Sequence, residues 1–120
     1  MSTVEIEVAN FYREVAQSQT IWSIKDDVGF PAPIGGKGKR AMPFWSSKAR
    51  AAEEISNVPS FKGFEPVAIA WDVFAQQMLP GMERDGLLAG VNWSSIAAVS
   101  VDVTPSELQA LVESARIKSH

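Results

Sequence analysis

The sequence predicts an α+β domain in which a mixed or mostly antiparallel sheet is covered by about four helices. Two observations support this class. Strand-like segments occur both as neighbours and separated by helical patterns, and the densest apolar region, residues 64–93, changes from a strand period to a helix period and back. We expect residues 1–120 to form a single domain, with a helix over about 3–18 and a sheet-and-helix core over about 20–116.

The first predicted element is the N-terminal helix. Ser2 and Glu5 have the spacing of a capping box, which marks the start of a helix. The apolar stripe that follows consists of Val4, Val8, Phe11, Tyr12 and Val15. A polar connector over residues 17–20 then separates this helix from the next element.

The next stretch carries the signals of short strands. Ile21 to Lys25 is rich in strand formers, and the turn at 26–29 predicts that residues 30–33 form its hairpin partner, which the prolines keep at a sheet edge. Residues 35–40 have the composition of a solvated hairpin loop. Ala41 to Trp45 returns to strand character.

A short helix is predicted directly after this strand. Ser46 is the expected N-cap, and residues 56–59 are expected to end the helix. The helix contains Ala49, Ala52 and Ile55 at helical spacing. Glu53 and Glu54 are then placed on the exposed face.

The central apolar stretch predicts a strand, a helix and a second strand. Val67 and Ile69 are two apart and face the same side of the first strand. The inner face of the helix is predicted to consist of Trp71, Phe74, Ala75, Met78, Leu79 and Met82. Pro80 predicts a kink or a fresh helix start, and Gly86 is suited to end the helix. Residues 87–93 return to strand character.

The C-terminal part predicts a strand followed by a helix. Residues 98–103 alternate as a strand, and Thr104, Pro105 and Glu107 supply a cap, a first-position proline and a capping glutamate. The buried stripe of this helix is predicted to consist of Leu108, Leu111, Val112 and Ala115.

Composition excludes several classes of function. The net charge of −3 gives no electrostatic reason for binding nucleic acid or anionic membranes. The chain has no cysteine, which excludes disulfides and thiolate chemistry and fits a reducing compartment. No signal peptide pattern or apolar run near the roughly 20 residues of a membrane span is present. We therefore expect a cytoplasmic protein.

The glycine-rich loop over residues 35–40 is a candidate phosphate cradle. It lacks the GxxxxGK[ST] pattern of a P-loop, and a strand follows it where a helix N-terminus would be needed. A solvated loop is therefore the favoured interpretation. Nucleic-acid binding through Lys37, Lys39 and Arg40 is a weaker alternative, because the whole chain is acidic.

The junction of Trp45, Ser46 and Lys48 is the candidate site for a small ligand. The start of a helix offers free N–H groups to an anion, with Trp45 as a wall and the other two side chains as polar contacts. A Ser–Lys nucleophile is also possible in principle. The alternative interpretation makes Trp45 a core residue and Ser46 a helix cap.

The sequence contains little that points to catalysis. Paired carboxylates at 26–27, at 53–54 and at Glu83 and Asp85 are all predicted to be solvated, whereas acid–base catalysis needs them in a desolvated cleft. No ligand cluster predicts a metal or another cofactor. His120, the single histidine, is given no role. These observations favour a non-enzymatic protein.

Tryptophan is abundant for this length, with Trp22, Trp45, Trp71 and Trp93. Tryptophan is enriched at interface hot spots and is also a common core residue. Trp93 is expected to be partly exposed, because it is flanked by Asn92 and Ser94. If the chain is a binding module, some of the four tryptophans should be exposed together.

Several short blocks resemble one family. In chain order they are 21–29, 43–46 with Ala49, 64–67, 79–81 with 85–86, and 90–93. Together they cover about residues 20–115 and are similar to the bacterial domain-of-unknown-function family 2750. The resemblance implies a small cytoplasmic bacterial protein with no assigned activity, and it transfers no catalytic residue. The blocks overlap with Trp45, Asn92 and Trp93.

Two functions follow as hypotheses. The first is a non-enzymatic module that binds another protein or a peptide, in a regulatory or immunity-like role, with Asn92 and Trp93 in the contact surface. The alternative is a small-ligand site or weak enzyme at Trp45, Ser46 and Lys48. Both a monomer and a homodimer are compatible with the sequence.

Overall fold

The computed structural model describes residues 2–118 of the chain. Its first helix, α1, spans Thr3–Ser18 and confirms the predicted N-terminal helix. Ser2 Oγ accepts a hydrogen bond from the Glu5 N–H at 3.2 Å and donates one to the Glu5 carboxylate at 3.1 Å. The two residues therefore stabilise the start of α1 together, as their spacing predicted.

The rest of the chain is a mixed series of strands and helices. Within residues 2–118 the strands are β1 Thr20–Lys25, β2 Ala41–Phe44, β3 Glu65–Ala70, β4 Leu88–Ser94 and β5 Val99–Val103. The further helices are α2 Lys48–Asn57, α3 Trp71–Val73, α4 Leu79–Arg84 and α5 Pro105–Lys118. A 3₁₀ turn spans Pro59–Phe61, and a π-helical turn spans Phe74–Met78.

The strands form two sheets that meet along one seam. β1 and β3 pair antiparallel, while β4 lies between a parallel β2 and an antiparallel β5. Trp22 and Trp45 each donate a backbone hydrogen bond to the other's carbonyl, at 2.9 and 2.8 Å, which joins β1 to the end of β2. Mostly antiparallel strands with packed helices confirm the α+β class.

Two apolar cores fill the interior. The larger one includes side chains of α1, α5 and the three-stranded sheet, among them Phe11, Val15, Phe44, Val91, Leu108 and Val112. The smaller one consists of Ile24, Trp45, Ala51 and Phe61. The smaller core joins β1, the end of β2, α2 and the 3₁₀ turn, and it provides the base of the site described below.

Residues 30–33 do not form the predicted hairpin strand. β1 pairs with β3 on one side and bridges to Trp45 on the other, so neither side is open to a further strand. Phe30 instead packs against the larger core, with its ring centroid 5.4 Å from Lys25 Nζ. The hairpin loop beyond it is confirmed, because Ile34 bridges Arg40 across it.

The helical run from α3 to α4 changes its geometry before Pro80. The π-helical turn precedes α4, which carries Pro80 in its first turn, where its missing N–H leaves no helical bond unmade. A new α-helical segment therefore begins at Leu79, directly after the π-helical turn, as the sequence predicted. Gly86, with φ of 69°, follows the end of α4 as expected. The predicted inner face of this run is buried or packed against the larger core.

One predicted position in α5 is wrong. Leu108 and Val112 are buried, but Leu111 is exposed. Adjacent helical residues are separated by about 100° around the axis, so Leu111 lies on the flank of the stripe that its neighbours form. The start of α5 is as predicted, since the Glu107 N–H donates to Thr104 Oγ1 at 3.1 Å.

Tyr12 is the one tyrosine of the chain, and its hydroxyl is buried with no hydrogen-bond partner among the described residues. Burial, with a contribution from the carboxylate of Glu107, raises the pKa of Tyr12 from 10.0 to about 12. The unfolded chain therefore loses this proton at a lower pH than the folded chain. As the pH rises from 10 to 12, the stability of the fold should fall by on the order of 2 kcal/mol through this group.

The matched variant is Tyr12→Phe, which removes the hydroxyl and keeps the ring. We expect its free energy of unfolding at neutral pH to equal or exceed that of the unmodified chain, because the removed hydroxyl has no partner. Urea unfolding across pH 10 to 12 should show a shallower loss of stability in the variant. Parallel pH curves for both proteins would contradict this assignment.

Candidate functional site

Trp45 lies at the end of β2 in the smaller core. Its side chain is fully buried, and its indole Nε1 donates a hydrogen bond to the carbonyl oxygen of Trp93 at 2.9 Å. This bond ties the end of β2 to the end of β4. Of the two interpretations that the sequence allowed, the structure makes Trp45 a core residue.

Helix α2 begins one residue later than predicted, with Ser47 rather than Ser46 as its N-cap. Ser47 Oγ accepts a hydrogen bond from the Arg50 N–H at 3.2 Å. Of the three apolar residues named for this helix, Ile55 packs against the smaller core. Ala51 and Glu54 are the buried residues of α2, whereas Ala49 and Ala52 are exposed.

Ser46 points inward and joins a buried network around Asn92. Asn92 Oδ1 accepts a hydrogen bond from the Ser46 N–H at 3.0 Å, and Asn92 Nδ2 donates one to the Glu7 carbonyl at 3.1 Å. The side chain of Asn92 is only 2% exposed. It therefore connects three parts of the chain, namely α1, the junction before α2, and β4.

Asn92 also interrupts the regular geometry of β4. Its φ is 48°, in the left-handed region that asparagine tolerates better than most residues. The β4–β5 register shifts between Val91 and Ser94, as at a β-bulge. Beyond Val91, β4 therefore departs from the regular alternation of a strand. The bulge is what turns the Asn92 side chain into the network.

Arg50 lies beside two carboxylates of α1. Its Nη1 contacts Glu7 Oε2, and its Nε lies 3.5 Å from Glu14 Oε1. Glu14 Oε1 also accepts a hydrogen bond from the Ser46 hydroxyl at 2.6 Å. The charge of the guanidinium is thus neutralised within the fold, and the Ser46 hydroxyl is occupied by an internal acceptor.

Trp93 rests on Gly90 and reaches across to β5. A Cβ atom at Gly90 would lie 2.2 Å from Trp93 Cε2, so the indole occupies that space. Its Nε1 donates to Asp102 Oδ1 at 3.0 Å and to the Val101 carbonyl at 3.2 Å. Asp102 is 3% exposed, and its Oδ2 faces Gly35 with no hydrogen-bond partner among the described residues.

Glu54 contradicts the prediction of a solvated Glu53–Glu54 pair. Glu53 is exposed as expected, but Glu54 is only 7% exposed. Glu54 Oε1 accepts hydrogen bonds from the N–H and the hydroxyl of Ser95, both at 3.0 Å, and no hydrogen bond from the described residues reaches Oε2. One carboxylate thereby ties α2 to the turn between β4 and β5.

These side chains surround a first hollow of about 200 Å³. Its walls include Glu7, Arg50, Glu53, Glu54, Trp93 and Ile96. A second hollow of about 400 Å³ shares Glu54, Trp93 and Ser94 with it. Ile96, in the turn between β4 and β5, is 70% exposed. The site is therefore concave, rich in carboxylates, and edged by apolar surface.

The structure brings four of the five predicted site residues together. Trp45, Asn92 and Trp93 line the first hollow, and Ser46 lies behind Asn92 without lining it. Lys48 is exposed at the start of α2 and lines neither hollow. Trp93 is partly exposed, as the sequence predicted.

Sequence reasoning missed Glu54 and Arg50 as site residues. The available signal was the apolar stripe of Ala51, Ile55 and Val58, which places Glu54 at its border rather than on the opposite face. Arg50 has no local signal, because its partners belong to α1, far away in the sequence.

Residues 2–118 lack two further kinds of feature. No helix there is long and apolar enough to cross a membrane. No group of three or more histidine, aspartate or glutamate side chains is placed to hold a metal ion. His120 lies outside the described residues.

The fold and the site define a small α+β protein with a carboxylate-rich hollow beside its β4–β5 turn. Comparison with protein families then assigns the chain. It belongs to the family described as "Protein of unknown function (DUF2750)", whose model matches residues 8–111. The resemblance found in the sequence blocks is thereby confirmed.

Comparisons with individual proteins do not indicate a function for this chain. Among solved structures, the chain is similar to one described as Anabaena Tic22 (protein transport), with 19% sequence identity and a TM-score of 0.43. The match covers 69% of this chain and 46% of that one, so this chain spans about half the length of that structure. A likeness at this level carries no functional argument. Comparison with curated proteins gives no match.

Proposed function

We propose that this chain is a non-enzymatic binding module of the cytoplasm that recognises an extended segment of another protein at the two hollows. The observation that carries this proposal is the pairing of a concave wall with exposed apolar surface. Ile96 projects into solvent from the β4–β5 turn, next to the partly exposed Trp93. Tryptophan in such a setting is typical of interface anchors.

The size of the first hollow supports a side chain rather than a whole small molecule. Ligand sites of proteins usually measure roughly 300–1,000 Å³, whereas this hollow measures about 200 Å³. The second hollow is larger and shares part of its wall with the first. Two adjoining hollows suit neighbouring side chains of one extended segment.

The alternative of a catalytic junction has less support. Ser46 is almost fully buried and its hydroxyl donates to Glu14, so a substrate in the hollow does not reach it. Lys48 lies outside both hollows and offers no base to that hydroxyl. A nucleophile needs access and an activating base together, and this arrangement favours binding over catalysis.

Selection of peptides from a random display library against the folded chain tests this proposal. We expect selected peptides to bind the Ile96→Asp variant at least about tenfold more weakly, because the change places a charge in an apolar contact. Titration calorimetry measures the dissociation constants. The matched control is Val28→Asp, which alters another exposed aliphatic loop residue, 92% exposed, that lines neither hollow.

Both variants should retain the fold, because neither side chain is buried. Equal affinity of the selected peptides for the unmodified chain and for Ile96→Asp would overturn the proposed binding surface. So would a selection that enriches no peptide above the background of an unrelated folded protein.

A further inference from the structure

We propose that the first hollow receives the side chain of an arginine or lysine of the bound segment. This inference rests on the proposed function and specifies the chemistry of its central contact. It starts from the charges that the fold leaves unpaired around the hollow.

The balance of charge in the hollow is negative. Arg50 is the one cation among the described residues that line the two hollows, and it pairs with Glu7 and Glu14. Glu53 and Glu54 remain on the wall with no cationic partner among the described residues. The hollow therefore attracts a cation, in line with the net charge of −3 on the whole chain.

Glu54 gives this negative charge a fixed position on the wall. It is more than nine-tenths buried, and both of its hydrogen bonds are accepted by Oε1. Oε2 is not among the buried atoms of the described residues that lack a partner, so it remains open to solvent. With no described hydrogen bond at Oε2, its position on the wall of both hollows offers an acceptor to an arriving donor. A charge-assisted bond there would be stronger than a neutral one.

The other walls suit the rest of a basic side chain. Arginine and lysine carry apolar stems that pack along apolar surface while the charged end reaches a polar group. Trp93 and Ile96 provide that surface on the same wall as Glu54. Cations also bind favourably near tryptophan rings. An acidic or neutral side chain would leave the two carboxylates unpaired.

A pair of matched probes tests the inference. N-acetyl-glycyl-arginyl-glycinamide carries the charge, and the same peptide with citrulline keeps the shape without it. We expect the arginine peptide to shift the amide resonances of Ser95 and Ile96 and the indole resonance of Trp93. The citrulline peptide should bind with at least about tenfold lower affinity. The effect should decline as salt is added.

Glu54→Gln should lower the affinity for the arginine peptide by about tenfold, because glutamine keeps an acceptor for Ser95 and removes the charge. The control is Glu65→Gln, an exposed carboxylate of β3 that lines neither hollow and should leave binding unchanged. If Glu54→Gln disturbs the fold, Glu53→Gln serves as the second variant, since Glu53 is exposed; we expect it also to weaken binding.

The outcomes separate this inference from the proposed function. Selected peptides that depend on Ile96 but bind equally well after their basic residues are made neutral would overturn the basic-side-chain inference and leave the binding module standing. Equal shifts by the arginine and citrulline peptides would overturn it as well. Selected peptides that bind Ile96→Asp as tightly as the unmodified chain would overturn both the basic-side-chain inference and the proposed binding module.

Discussion

Replacing Gly90 by alanine should destabilise the fold by about 3 kcal/mol or more. The new methyl group would lie 2.2 Å from Trp93 Cε2 and 2.5 Å from Trp93 Nε1, where no side chain fits. Overpacking of this kind costs roughly 1–3 kcal/mol. A displaced indole would also lose its bond to Asp102, whose buried carboxylate would then lack a donor, at a further cost of about 1–3 kcal/mol.

Urea unfolding measures this effect, with Gly81→Ala as the matched control. A Cβ atom at Gly81 meets only the end of the flexible Arg84 side chain, at 3.4 Å. Because Gly81 lies in α4, alanine there should stabilise the fold by about 0.5–1 kcal/mol.

A double-mutant cycle with Trp93→Leu identifies the cause. The smaller side chain vacates the space above Gly90, so the cost of Gly90→Ala should fall by at least about 1 kcal/mol in that background. An unchanged cost would show that the indole is not what the new methyl group meets.

Asn92→Ala should lower the free energy of unfolding by a similar amount, roughly 3 kcal/mol. The variant removes the acceptor of the buried Ser46 N–H and the donor to the Glu7 carbonyl. The buried Ser46 N–H left unpaired costs about 1–3 kcal/mol, whereas the Glu7 carbonyl keeps its helical bond within α1, so that losing Asn92 there costs only about 1 kcal/mol. Alanine is also strained at the φ of 48° by roughly 1–2 kcal/mol, whereas glycine is not.

Asn92→Gly separates these two contributions. It loses the same hydrogen bonds and keeps the backbone unstrained, so its stability should lie between those of the unmodified chain and Asn92→Ala. The difference between the two variants, from urea unfolding, should be about 1 kcal/mol. Equal stabilities would show that the left-handed backbone carries no strain, and a stable Asn92→Ala would contradict the role of the network.

Local features of this fold were predictable, and long-range pairings were not. The starts of α1 and α5 and the break before Pro80 depend on residues a few positions apart, which interact within one turn. The partner of β1 is β3, and the paired residues lie 40 to 50 positions apart in the sequence. Alternation shows which face of a strand is buried but does not show which strand lies beside it.

The site was predictable in the same partial way. Trp93 and Asn92 were singled out because an aromatic residue between polar ones is unusual at a strand end, but the burial of Asn92 was not predicted. Glu54 was missed because its burial depends on Ser95, which lies in a turn that the sequence does not bring near α2. Ser46 was assigned as a helix cap, and the bulge at Asn92 instead draws it inward.

The seam between the two sheets has a consequence for how the molecule opens. Among the described residues, the backbone hydrogen bonds across it are the two between Trp22 and Trp45, with one further bond from Ser23 Oγ to the Pro43 carbonyl at 2.8 Å. Breaking these few bonds, together with the apolar contacts of Ile21, Ile24 and Ile69 in the two cores, would separate β1 and β3 as a unit while the hydrogen bonds within each sheet stay intact. Amide hydrogen exchange at Trp22 and Trp45 would therefore report sub-global unfolding, in which the two-stranded sheet separates from the three-stranded sheet before the whole fold is lost.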